Sequence, residues 1–166
     1  MIDRDLRDEM VVIDRVVDAP VELVWKMWTV PEHFQAWYGP DGATVPVADM
    51  DVRIGGSRTV AMEMHTPDGP MRMWFTGEYL EVTEPELLVY TEAMADPDGN
   101  VLSPAEAGVP DGHPTVTQVR VQLTDLGGRT GMTLTHAGVP ADSPGATGWK
   151  MALDKLAAHA VSMASG

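Results

Sequence analysis

The sequence predicts an α+β domain: one strand, two short helices, an antiparallel meander bringing the total to six to seven strands, and one long C-terminal helix. Three observations carry this. Short segments of alternating apolar and polar residues recur between clusters of Gly, Pro and Asp. Several of the breaks between them are hairpin-length, which makes sequence neighbours antiparallel partners. Finally, Trp149, Leu153, Leu156, Ala160 and Met163 recur at helical spacing, an apolar stripe that must lie on a sheet.

Each element has a local cause. Met10–Val17 (MVVIDRVV) is rich in β-branched residues and reads as a strand. Asp18-Ala19-Pro20 ends it and opens a helix with an early proline in the first turn, where the missing N–H costs nothing. Val21, Val24, Trp25 and Trp28 then share one helical face. Thr29-Val30-Pro31-Glu32 has the capping-box pattern, with Thr29 as cap, so a second helix carrying Phe34 and Trp37 should run to about Tyr38. Gly39-Pro40-Asp41-Gly42 stops it.

The strands expected next are Thr44–Met50, Arg58–His65, Met71–Val82, Glu86–Met94, Thr115–Thr124 and Thr130–His136. One connection, Ala95 to Pro114, is dense in Pro, Gly and Asp and exceeds the roughly 12–15 residues at which an unstructured loop becomes uncommon, so it is either an ordered flap or a mobile excursion. Ser143-Pro144 supplies the cap and first-turn proline of the last helix. No repeat or second domain is visible; residues 1–9 read as a flexible lead-in and 10–166 as a single domain.

Composition narrows the function. The 166 residues include 25 acidic and 11 basic side chains, for a formal net charge of −14, and no cysteine. Nucleic-acid binding needs clustered Lys and Arg, which are scattered here, and an anionic membrane surface would repel the chain. No apolar run approaches the roughly 20 residues of a membrane span, and the N-terminus lacks the apolar core of a signal peptide. The missing cysteines remove disulfides, thiolate nucleophiles and Cys-ligated zinc, and fit a reducing cytoplasm. Much of the acidity falls in the lead-in and the long loop, including Asp96, Asp98 and Glu106, and reads as a solubilising coat.

Strand parity predicts which side chains face inward. Val60, Met62 and Met64 share a face, as do Thr117, Val119, Val121 and Leu123, and likewise Met132, Leu134 and His136. Met71–Val82 is mixed: Met71, Met73, Phe75 and Tyr79 oppose Trp74, Leu80 and Val82. A bulge near Gly77 or a homodimer contact would explain it. The chain has 12 Met against 2 Phe, which suits either a methionine-filled core or a cavity with adaptable walls.

The ordered set of local motifs resembles a known family. It comprises Asp18-Ala19-Pro20 with Val24-Trp25, Trp37-Tyr38-Gly39-Pro40, Asp51-Val52-Arg53-Ile54-Gly55-Gly56, Pro67-Asp68-Gly69, Gly77 with Glu81-Val82, Leu134-Thr135-His136-Ala137-Gly138, and Gly148-Trp149 before Leu153 and Leu156. These are similar to the START-like (SRPBCC, birch-pollen-allergen) superfamily, in the branch named for the activator of the heat-shock chaperone ATPase (Aha type). The long 95–114 connection is the departure. The resemblance implies a helix-grip fold, in which a curved sheet grips the C-terminal helix around an apolar cavity. Members bind lipids or polyketides, cyclise polyketides, confer antibiotic self-resistance or stimulate a chaperone, and fold alone does not choose among these.

The leading expectation is a hydrophobic small molecule, lipid or polyketide-like, bound between sheet and helix. Trp37, Met64, Phe75, Tyr90, Trp149 and Leu153 are candidate walls and His136 the candidate polar contact. The plainer reading of His136 is an inward histidine satisfied by a backbone carbonyl. Glu63 and Glu92 read as solvated strand residues, and Arg53 as pairing with Asp51 or a neighbouring carboxylate. No cofactor, metal ligand set or catalytic residue is assigned: the other histidines lack ligand spacing, and phosphate-loop, dinucleotide and nucleophile-elbow motifs are missing. The alternatives are a chaperone ATPase-stimulating module and a cavity enzyme such as a polyketide cyclase.

Overall fold

A computed structural model of the chain describes residues 10–107, 115–139, 141 and 143–165. The expected lead-in and the second part of the long loop, with His113, lie outside the described residues. The strands are β1 (Met10–Val17), β2 (Thr44–Met50), β3 (Ser57–Thr66), β4 (Gly69–Thr83), β5 (Leu87–Ala95), β6 (Val116–Asp125) and β7 (Thr130–Ala137). The helices are α1 (Val21–Thr29), α2 (Pro31–Trp37), the single turn α3 (Pro104–Ala107) and α4 (Pro144–Ser165). All strands join one antiparallel sheet in the order β1-β7-β6-β5-β4-β3-β2. The meander therefore pairs each strand with its sequence neighbour, and β1 returns to the free edge of β7. This is the curved sheet and C-terminal helix of the helix-grip arrangement.

Helix α4 buries Trp149, Leu153, Leu156 and Ala160 on the inner face of the sheet and against α1 and α2. Full burial of each leucine side chain contributes roughly 1.5–3 kcal/mol. The expected stripe ends one turn early: Met163 is 45% exposed, in a last turn that is exposed from Val161 to Ala164. Trp28 and Trp37 meet edge to face at 4.7 Å, and Trp28 reaches Trp149 at 6.0 Å, so aromatic contacts knit the three helices together. On the same seam His33 Nδ1 lies 3.2 Å from His159 Nε2.

Two helix starts differ from expectation. Pro20 is the N-cap of α1, with extended ψ of 151°, and its carbonyl accepts from the backbone N–H of Leu23 and Val24. It thus stands one position before the first turn. The cap of α2 is Val30, with Pro31 in the first turn. Proline fits the first helical position so well that it moves the start, and Thr29 becomes the last residue of α1. The Thr29 hydroxyl donates to the Trp25 carbonyl at 3.0 Å and caps nothing.

The inward position of Val82 on β4 is explained by an irregularity, while Trp74 and Leu80 stay on the other face. Tyr79 pairs with Tyr90, but Glu81 pairs with Val89 and Val82 with Leu88. One extra residue near Leu80 turns the strand over, so Tyr79 is buried on the inner face and Val82 packs on the same core after it. The bulge lies beyond Gly77, where a sequence reading places it. Gly77 has its own constraint: a Cβ there would collide with the carbonyl oxygen of Thr91 on β5.

Candidate functional site

The inner face of the sheet and α4 do not close completely. Between them lies a chamber of about 800 Å³, inside the usual range for small-molecule sites. Strands β3, β4 and β5 supply Met62, Met64, Met73, Phe75 and Met94; α4 supplies Gly148, Trp149 and Met151. Five of the twelve methionines thus line one space. Unbranched thioethers adapt their rotamers to what they touch, so these walls are apolar and adjustable.

The mouth is bounded in part by an ordered portion of the long connection. Asp96 Oδ1 accepts the backbone N–H groups of Asp98 and Asn100, each at 2.9 Å. These bonds, that of Asn100 foremost, hold the Asp96 carboxyl below its ordinary pKa. Leu102 N–H then returns to the Met94 carbonyl, and Ser103 and Glu106 form a reciprocal capping box around α3. Leu102 and Ala107 line the chamber, so residues 95–107 form the flap alternative. Asp96 and Glu106 build turns as well as adding charge.

His136 is committed on both ring nitrogens. Trp149 Nε1–H donates to Nδ1 at 2.9 Å, which requires an unprotonated Nδ1 and leaves the hydrogen on Nε2. Nε2–H then donates to Thr117 Oγ1 at 2.7 Å, and that hydroxyl donates to the Glu92 carbonyl at 3.0 Å. The chain runs from α4 through β7 and β6 to β5. Burial lowers the His136 pKa by penalising the imidazolium; nearby Glu92 opposes this and Arg58 adds to it. His136 lines the chamber as a neutral structural strut with no spare hydrogen-bonding atom. This differs from the backbone-carbonyl reading in its partners but agrees that the ring is internally satisfied.

The charged group of the chamber is Glu92, against its reading as a solvated strand residue. It is 8% exposed. Its Oε2 accepts from the Tyr38 hydroxyl at 3.2 Å and faces Arg58 Nη1 at 3.5 Å. Arg58 is 1% exposed, with its guanidinium carbon 4.0 Å from the Tyr90 ring centroid and 5.3 Å from that of Phe34. Burial works against the arginine's charge, yet Tyr90, Tyr79 and Glu92 around it outweigh that and raise its pKa. Burial foremost, then Glu92, keeps the Tyr38 phenol protonated and donating. Arg58 lies opposite Gly77 in the β3–β4 register, and its guanidinium reaches Tyr90 and Glu92 on β5. Glu63, in contrast, pairs with Arg72 at the surface, and Arg53 binds Asp51 at 2.8 Å as expected.

Of the seven residues singled out from sequence, Met64, Phe75, His136 and Trp149 line the chamber. Trp37, Tyr90 and Leu153 do not. Trp37 is tied into the helical layer by its indole N–H to the Met27 carbonyl at 2.8 Å, Tyr90 lies beneath Arg58, and Leu153 is wholly buried core. Sequence reasoning missed Glu92 and Tyr38 as lining groups and Arg58 as a buried cation. Parity carried a signal: Arg58 shares the face of Val60 and Met62, and Glu92 that of Leu88 and Tyr90. Two opposite charges on inward faces imply a pair. Among the described residues, no group of three or more His, Asp or Glu side chains could hold a metal ion.

An antiparallel sheet closed over a C-terminal helix, with an apolar chamber at the seam, defines the helix-grip class of the START-like superfamily. The chain belongs to the family of activator of Hsp90 ATPase homolog 1-like proteins, whose sequence profile matches residues 18–160. No functionally curated protein matches it. Among solved structures, a Nitrosomonas europaea protein superposes with a TM-score of 0.73 at 21% identity, covering 94% of this chain and 96% of the other. The AHSA1 protein of Silicibacter pomeroyi gives 0.69 at 21% identity over 92% and 97%. CalU16 from Micromonospora echinospora gives 0.60 at 23% over 91% and 75%. At these identities the likeness is one of fold. Among the described residues, no helix is long and apolar enough to cross a membrane.

Proposed function

We propose that this protein binds a hydrophobic small molecule, lipid or polyketide-like, in the chamber between the sheet and α4. The observation that carries the reading is the chamber itself: about 800 Å³, walled by five methionines, Phe75 and Trp149, with one formally charged group among the described lining residues. Burying apolar ligand surface against such walls contributes roughly 25 cal/mol per Å² before the cost of association is counted. Binding rather than catalysis is favoured because His136, the one imidazole among the described lining residues, spends both nitrogens on the fold.

The test is paired. Native mass spectrometry of protein purified from its own host should show a retained adduct that is lost on denaturation. The apolar fluorophore N-phenyl-1-naphthylamine should bind the emptied protein and lose at least about tenfold in affinity in Gly148→Leu, since Gly148 lines the chamber and a Cβ there meets nothing within 4 Å. Protein that is adduct-free and fluorophore-blind overturns the reading. So does equal fluorophore binding by wild type and a folded Gly148→Leu.

A further inference from the structure

The chamber's polar chemistry restricts the head group of its ligand. Resting on the reading of the chamber as a small-molecule site, we propose that the ligand carries an uncharged hydroxyl, a phenol or an alcohol, that donates to Glu92, and that the chamber discriminates against carboxylates. Most other polar side chains on the described lining are already engaged: Tyr38 donates to Glu92, Thr117 and His136 are consumed in the chain that ends on the Glu92 carbonyl, and Ser143 Oγ accepts the Ala146 N–H, while Thr115 adds a neutral hydroxyl. Glu92 differs. Its side chain is 9% exposed, Oε2 holds both Tyr38 and Arg58, and Oε1 accepts no hydrogen bond from a described residue. A carboxylate oxygen in a methionine-lined space is a strong acceptor that gains most from a donor.

The charge of that donor is also constrained. Arg58 already neutralises Glu92, so an ammonium head would bring an uncompensated cation into an apolar chamber with a guanidinium close by. A carboxylate head would face Glu92, and like charges at short range in a low-dielectric space are strongly unfavourable. A hydroxyl satisfies Oε1 and leaves the net charge unchanged. No lysine or arginine is found on the described lining to receive an acid.

The experiment uses three probes with one tail and different heads: 4-octylphenol, 4-octylbenzoic acid and 4-octylbenzylamine, each displacing N-phenyl-1-naphthylamine from the emptied protein at pH 7.5. The expected result for wild type is that the phenol binds at least about tenfold tighter than the benzoate and the benzylammonium. In Glu92→Gln, with the Arg58 charge left unpaired, the benzoate should gain on the phenol by a similar factor. A wild-type preference for the benzoate or the amine, or no preference, overturns the hydroxyl assignment while leaving the chamber a binding site. An unchanged preference in folded Glu92→Gln overturns the role of Glu92. Failure of all three probes to displace a fluorophore that does bind overturns the hydroxyl assignment, whereas a fluorophore that does not bind overturns the binding reading itself. Should Glu92→Gln not fold, the wild-type ranking decides alone.

Discussion

Trp149 Nε1–H donates to His136 Nδ1 at 2.9 Å, across the seam where α4 meets β7 beside the chamber. A hydrogen bond in this direction is compatible only with neutral imidazole, because an Nδ1 proton would point at the indole proton. The contact that fixes the helix on the sheet is therefore also one that acid should weaken.

The sign follows from where the proton binds. Burial holds the folded-state pKa of His136 below 6.5, while the unfolded chain takes up its proton near 6.5. The stabilising contribution is complete above about pH 6.5 and is lost as pH falls from there through the folded-state pKa, with a slope of at most about 1.4 kcal/mol per pH unit. Urea unfolding of wild type and His136→Gln between pH 5 and 8 checks this. The variant should be less stable by about 1–3 kcal/mol at pH 8, and the gap should shrink towards pH 5. A constant gap would count against the neutral assignment.

Arg58 and Glu92 form a second coupled pair. Removing one partner leaves a buried charge, so Arg58→Met should cost about 3–5 kcal/mol, whereas Arg58→Met with Glu92→Leu should recover most of it. Denaturant midpoints in a double-mutant cycle measure the coupling. Additive losses would show that the 3.5 Å contact is not energetically linked.

Glycines 77 and 148 should respond in opposite directions. A Cβ at Gly77 collides with the Thr91 carbonyl between β4 and β5, so Gly77→Ala should destabilise by roughly 3 kcal/mol. Gly148 lies inside α4 with open space around a Cβ, and Gly148→Ala should stabilise by about 0.5–1 kcal/mol through helix propensity. Thermal melts of the two variants separate these outcomes.

Thr29 offers a direct check on the helix start. As a cap its loss would cost about 1 kcal/mol. With its hydroxyl bonded back to the Trp25 carbonyl, Thr29→Ala should change stability by less than about 0.5 kcal/mol in an equilibrium unfolding measurement.

The element order and the inward faces of β6 and β7 were legible because both depend on local period. Val119, Val121 and Leu123 alternate with exposed residues along β6, and Met132, Leu134 and His136 with half-buried ones along β7, and no distant residue need be known. The same logic failed at Val82, where one extra residue inverts the period. It also failed at Met163, which is exposed in the last turn of α4 although it keeps the helical spacing of the buried stripe.

By itself, then, the sequence determined a meander, its buried faces, an amphipathic final helix and an acidic chain without thiols. Tertiary structure decided that Arg58 on β3 reaches Glu92 on β5, that His136 is consumed by Trp149 and Thr117, and that five methionines surround a space instead of filling it. The physical reason is range. Periodicity is set by backbone geometry within a few residues, whereas a partner is chosen by strand register. A cavity exists only in the distance between a sheet and the helix laid upon it.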